Sequence, residues 1–189
     1  MKILGIDPGS RSIGYGVIEI SETRLNYLCS GVIKPEIKGD FSSRLPDICF
    51  KFEKLVENFP DFVIAIESLI HVKNVVSLSK LAQARGAILA GALKSDKCSG
   101  VFEYSPNKVK SSVSGFGHAD KSMIHLSIER ILGATINCAT HDESDALAIA
   151  ITHGIEAPAS NNSKNSRHRG IFSRKSGSLA ASINPIKLK

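Results

Sequence analysis

The sequence predicts an α/β domain built on a mixed five-stranded sheet, an antiparallel meander of three strands followed by two parallel strands. Three observations predict it. The first 34 residues hold three apolar runs separated only by turn residues. From residue 42 onward, helical periodicity alternates with short continuous apolar runs. Connections of that second kind are long enough for helical crossovers, which join parallel strands.

Each element follows in order. Residues 2–7 (KILGID) read as a buried strand, and DPGSRS carries turn chemistry at Pro8 and Gly9. Residues 13–20 and about 25–34 read as the second and third strands. Leu45, Ile48, Phe52, Leu55 and Val56 recur at helical spacing across 42–58, and Phe59-Pro60 ends that helix. The unbroken apolar run 62–66 suits a central strand parallel to the first. A helix is expected over about 75–94, a short strand over 101–104, and helices over 105–113 and 120–132. SGFGHA joins the last two as a flexible loop, and a final helix starts near 141.

Length and composition set the frame. The chain has 189 residues with 42% hydrophobic content, enough for one domain with a sizeable core and a tail. From about 157 the composition changes to Ser, Asn and basic residues, so the domain is expected over 1–156 and a disordered tail over 157–189. No apolar run is long enough to span a membrane, and MKILGIDPGS reads as a strand rather than a signal peptide. The four cysteines, Cys29, Cys49, Cys98 and Cys138, are scattered with no CxxC pair. They read as reduced thiols of a cytoplasmic protein, which argues against a zinc site.

The net charge of +6 is unevenly placed. The tail holds seven basic and no acidic residues, leaving 17 basic against 18 acidic in the body. Within the body, residues 73–130 hold nine Lys/Arg against four acids. This basic middle section falls in sequence between Glu67 and Asp142. A basic surface beside an acidic site suits a polyanion, and an ordinary solvated face accounts for the same count equally well.

Four carboxylates sit where carboxylates are costly. Asp7 ends the run ILGI, Glu67 ends FVIAI, and Asp142 and Asp145 open a segment that continues ALAIAI. A desolvated acid needs a positive partner, and several converging acids are best served by a divalent metal. Asp7 and Asp142 also have ordinary structural readings, a turn starter before Pro-Gly and an acid in the first turn of a helix. Thr140 and Glu143 fit a capping box that puts Asp142 and Asp145 on one helix face. Glu67 and Asp145 have no such explanation. Active sites of open α/β sheets gather at the carboxyl ends of parallel strands, where Asp7 and Glu67 both fall. A four-carboxylate cluster there can hold two Mg²⁺ ions about 3.5–4 Å apart.

GIDPGSRSIGYGVIE, AIES, QARG, VFEY, VK, the Lys121-Ser122 step and DESDALAIAITH stand here in the order and spacing of the RuvC family of Holliday junction resolvases. The resemblance covers roughly residues 1–155. It implies an RNase H-like fold, and a homodimer that cuts two opposed strands of a four-way DNA junction symmetrically. It implies that Asp7, Glu67, Asp142 and Asp145 are the catalytic metal ligands for two Mg²⁺ per subunit, with Mn²⁺ as a substitute. Lys110 and Lys121 match the family's DNA-contacting lysines, and Lys108 lies on the same basic stretch. A branch-migration complex of the RuvA/RuvB type is the implied partner. The helix at 75–94, rich in Ala and Gly, is either the implied dimer face or is packed tightly on its own sheet.

One position departs from the pattern. The family places an aromatic residue a few positions after the second carboxylate, and this chain has Ile70 there. Ile can still wedge between bases, and His71 can stack. Phe116, flanked by glycines beside Lys110 and Lys121, reads either as an aromatic that inserts into DNA or as a loop anchor. His141 neighbours Asp142 and ranks low as a proton-transfer group. The rival readings are a YqgF-type nuclease acting on RNA or other DNA, and a non-catalytic junction-binding protein. An actin- or hexokinase-like ATPase would need a second Asp-Gly hairpin and a longer chain. Neither is present; the full motif set argues against the YqgF-type reading, and the complete set of carboxylates against the non-catalytic one.

Overall fold

The computed structural model describes residues 1–22, 24–36, 39–69, 74–117, 119–161 and 172–173. Its strands are β1 (Lys2–Asp7), β2 (Ile13–Ser21), β3 (Arg24–Ile33), β4 (Phe62–Glu67), β5 (Cys98–Tyr104) and β6 (Phe172–Ser173). Its helices are α1 (Leu45–Glu57), α2 (Val75–Leu93), α3 (Pro106–Ser114), α4 (Lys121–Leu132) and α5 (His141–Asn161). The strands run in the order β3-β2-β1-β4-β5-β6. β1, β2 and β3 pair antiparallel, whereas β1–β4 and β4–β5 pair parallel. This is the expected meander followed by crossovers.

The sheet has helices on both faces. Leu4, Ile6, Ile64 and Ile66 pack with Ile48 and Phe52 of α1 and with Ala84 and Ile88 of α2. Ile3, Val63 and Ala65 pack on the other face with residues of α3, α4 and α5. Period-2 alternation along β1 and β4 therefore assigns each residue to one layer. Asp7 continues the Ile3–Gly5 side and Glu67 the Val63–Ala65 side, so both face α5.

Three details depart from the expectation. The first helix opens as a 3-10 turn over Ser42–Arg44, and the α-helix begins next to Pro46, whose missing N–H costs nothing in a first turn. α5 continues to Asn161, past the boundary expected at 156. Phe172 and Ser173 of the basic tail add a sixth, two-residue strand antiparallel to β5. The rest of the stretch expected to be disordered lies outside the described residues.

α5 lies against β1 and β2 because glycines leave room for it. A Cβ on Gly5 would sit 2.1 Å from the Ala146 carbonyl oxygen, and one on Gly14 would sit 2.0 Å from that of Asp142. Both are main-chain atoms, so no rotamer change could relieve the clash.

Candidate active site

Four acids reach one end of the sheet by three separate routes. Asp7 is the last residue of β1 and Glu67 the last of β4, on neighbouring parallel strands. Asp142 and Asp145 arrive on the first two turns of α5. The cap holding that helix start is the expected one: the Glu143 N–H donates to Thr140 Oγ1 at 3.4 Å, and the Thr140 hydroxyl donates to the Glu143 carboxylate at 3.3 Å. Ser30 of β3 adds a hydroxyl to the same carboxylate at 3.3 Å, tying the cap to the sheet.

The electrostatics show that the four acids share one environment. Burial pushes Asp7 up to about 7 from an ordinary 3.8, helped by the charges of Glu67, Asp145 and Asp142 and by a hydrogen bond with Glu67. Glu67 is raised by burial and then by Asp145, while its bond to Asp7 and the charge of Lys110 pull it back. Asp145 is raised chiefly by burial, with Lys121 and His141 drawing it down and Asp142 pushing it up. Desolvation combined with like charge disfavours ionisation, and carboxylates meant for a cation show that combination.

Each acid has meanwhile found a local partner. Asp7 bonds Glu67. Asp142 accepts from the Ser12 hydroxyl in the β1–β2 turn. Asp145 faces Lys121 Nζ at 3.8 Å. Among the described residues no three His, Cys, Asp or Glu side chains are arranged as a ready cage for an ion. The Asp7–Glu67 bond requires a proton between the two carboxyls, in keeping with the raised value of Asp7, while Asp142 and Asp145 lean on a hydroxyl and an ammonium. The donor set still fits a hard divalent cation, because it is all oxygen, partly desolvated and underprovided with positive charge.

The basic residues are placed by capped helices. Ser105 caps α3 through the Lys108 N–H at 3.3 Å, and Asp120 caps α4 through the Met123 N–H at 2.8 Å. Lys121 is thereby the first residue of α4, and Lys110 sits in the middle of α3. A cavity of about 160 Å³ is lined by Glu67, Lys110, Lys121 and Asp145 together with apolar residues. Lys121 and Asp145 also line a second cavity of about 400 Å³, with His125, Thr140 and His141. A larger groove of about 920 Å³ lies at Ile20, Arg24, Leu25 and Gly154 and contains none of the four acids.

The remaining candidates fall differently. Lys108 pairs with Glu156 of α5. Phe116 is 70% exposed, so its ring is not anchored into the body. Ile70 and His71 lie outside the described residues. Three further residues were not read from the sequence. Ser12 holds Asp142. Arg44 donates to the Ser10 carbonyl at 3.3 Å, bracing the turn after Asp7. Arg85 of α2 is buried and donates to the Glu67 carbonyl at 2.6 Å. The available signal for Arg85 was its place in the motif QARG, within the small-residue run AQARGAILAGA.

Comparison with known proteins agrees with this geometry. The sequence model of the family described as crossover junction endodeoxyribonuclease RuvC matches residues 3–153. The protein of that name from Thermotoga petrophila is 38% identical over 159 residues, covering 84% of this chain and 95% of the relative. The one from Cronobacter sakazakii is 43% identical over 151 residues, covering 80% and 85%. Thermus thermophilus RuvC, solved in complex with a Holliday junction substrate, matches with a TM-score of 0.74 and 28% identity over 85% of this chain and 96% of that one. The architecture is thus the RNase H-like one that the sequence resemblance implied. With the family model spanning most of the domain and the relatives matching nearly end to end, the chain belongs to the RuvC family of crossover junction endodeoxyribonucleases.

Proposed function

We propose that this chain is a DNA endonuclease that resolves four-way junctions by hydrolysing phosphodiester bonds in two opposed strands. The observation that carries this reading is the single cavity where Glu67 and Asp145 meet Lys110 and Lys121, beside Asp7 and Asp142. Membership of the family supplies the substrate class, and a family structure holds that substrate.

Asp7, Glu67, Asp142 and Asp145 would hold two Mg²⁺ per subunit, with Mn²⁺ able to substitute. When bound, these ions supply charge neutralisation at the scissile phosphate and a more acidic attacking water. The chain's own groups do the rest. Asp7 would hold an ion only as the carboxylate, so the proton that burial retains on it near neutral pH would compete with metal binding. Ser12 fixes the orientation of Asp142. Lys121 is released from Asp145 and, with Lys110, grips phosphates flanking the cut, contacts that position DNA without reading sequence. Phe116, exposed at the α3–α4 loop, and Ile70 are the apolar groups available to part the bases at the crossover.

A two-fold dimer would present two equivalent sites to a two-fold junction. α2 offers a surface for it: Val75 and Val76 are exposed, and Ala82, Gly86 and Ala90 leave the outer side of the helix free of bulk. Gly91 meets the Cys49 carbonyl of α1, so part of the small-residue pattern serves internal packing as well. A RuvA/RuvB-type branch-migration complex is the partner, and the cytoplasm the compartment, that fit this function. No helix among the described residues is long and apolar enough to cross a membrane.

Cleavage of a synthetic four-way junction with Mg²⁺ tests the reading. Asp7→Asn and Asp145→Asn should bind the junction without cutting it. Normal cutting by both would sink the acid cluster, and preference for duplex over junction would sink the resolvase assignment.

A further inference from the structure

Arg85 is the one charged side chain of α2 that points inward, and only 7% of it is exposed. Burial costs a guanidinium several kcal/mol unless each end of it is met by an acceptor. Two acceptors meet it, the carboxylate of Glu103 on β5 and the main-chain carbonyl of Glu67 at 2.6 Å. Glu103 follows Val101 on the α1/α2 side of the sheet, whereas the Glu67 carboxylate projects to the α5 side. The guanidinium therefore never touches the carboxylate; it grips the backbone of the same residue from behind.

That backbone needs a grip. The pairing of β1 with β4 ends at Ile6–Ile66, so Glu67 lies one residue beyond its last β1 partner. On the other side it still pairs with Tyr104, and the Ser68 N–H donates to the Tyr104 carbonyl at 2.9 Å. A strand end held on one edge only would pivot, and its side chain would swing with it. Asp7 and Asp145 both act on the Glu67 carboxylate, so a swing of about 1 Å changes the spacing of the whole cluster.

We propose that Arg85 is a positioning residue: by clamping the Glu67 carbonyl it fixes the direction in which the Glu67 carboxylate faces Asp7 and Asp145. The proposal rests on the reading of Glu67 as a member of the metal-holding cluster. Residues that orient metal ligands from outside the ligand set are worth about 10–100-fold in metal affinity or activity. Arg85 would act in that range through the main chain rather than through a side chain.

Three variants and a control test it. Arg85→Met removes both donors, Arg85→Lys keeps one donor for the carbonyl, and Glu103→Gln keeps the clamp while removing its counter-charge. The readouts are the Mg²⁺ concentration giving half of the maximal thermal upshift without DNA, amide exchange at Ser68, junction affinity in EDTA, and single-turnover cleavage. Arg85→Met should raise the Mg²⁺ midpoint about 10-fold or more and speed Ser68 exchange, with junction affinity in EDTA within about twofold of the parent. Arg85→Lys should fall between, near threefold, and Glu103→Gln should stay within about twofold. A folded Arg85→Met with parental Mg²⁺ midpoint and Ser68 exchange overturns the proposal. If Arg85→Met does not fold, Arg85→Lys decides, and a parental midpoint there overturns it. Asp7→Asn is the control: if it retains both Mg²⁺ response and cutting, the acid cluster itself has failed, whatever Arg85 does.

Discussion

Replacing Asp7 with Asn should stabilise the metal-free protein while abolishing its proposed activity. The folded chain holds the Asp7 proton up to about pH 7, against an ordinary value of 3.8. A carboxyl raised in this way costs stability. The cost is absent below about pH 4, grows as pH rises between the two values, and is complete above pH 7. The gap between 3.8 and about 7 corresponds to roughly 4 kcal/mol at 1.36 kcal/mol per pH unit. Water entry and side-chain relaxation around a site open to solvent reduce this, leaving about 2–4 kcal/mol. Asn keeps the shape and carries no charge. For a domain of this size the gain is a rise in Tm of roughly 5–15 °C. Thermal unfolding in EDTA at pH 8 and pH 5 measures it, and the difference between variant and parent should shrink to less than half at pH 5. Adding Mg²⁺ should then stabilise the parent more than the variant, by about 2.7 kcal/mol at a hundredfold excess over its Kd. A variant no more stable than the parent at pH 8 without metal would refute the account of a desolvated, mutually repelling cluster.

Other outcomes follow from the same geometry. Gly14→Ala would drive a Cβ into the Asp142 carbonyl, so calorimetry should show a loss of about 1–3 kcal/mol, and cleavage should fall even where the protein stays folded. Lys110→Ala and Lys121→Ala should each weaken junction binding and flatten the log–log salt dependence of affinity by about one, and an unchanged slope would remove that lysine from the DNA contacts. Ile70→Phe should keep or improve junction cleavage, measured as single-turnover rate; a large loss would show that the segment after Glu67 serves another purpose.

How much of this was legible in the sequence depends on the range of the interaction. Strands β1 to β4 were readable because an apolar run bounded by turn residues reports burial on its own. β5 was read three residues short, since CSG at its start has no strand character, and Cys98 is a strand residue only because Phe62 lies beside it. The gathering of Asp7, Glu67, Asp142 and Asp145 was readable because each adjoins an apolar run, and strand polarity sends the first two to one edge. Ser12, Arg44 and Arg85 were not, because each acts on a partner far away in sequence: Ser12 reaches Asp142, and Arg85 reaches a main-chain carbonyl that no motif encodes. The two-residue strand at Phe172 was invisible for a related reason. It borrows its conformation from the edge of β5.

The contact between α5 and the sheet at Gly5 and Gly14 has a consequence for how such a domain can change over time. Where helix and sheet meet through side chains, their separation drifts with every exchange of a core residue. Here peptide touches peptide, so the spacing is set by bond lengths and atomic radii that mutation cannot alter. The contact works as a fixed reference surface from which Asp142 and Asp145 are measured out toward Asp7. Ile, Val and Leu elsewhere in the two cores are then free to exchange among themselves, because the dimension that matters to the acids does not pass through them. The same arrangement allows no gradual adjustment: a single methyl group at either glycine moves the helix by a whole step.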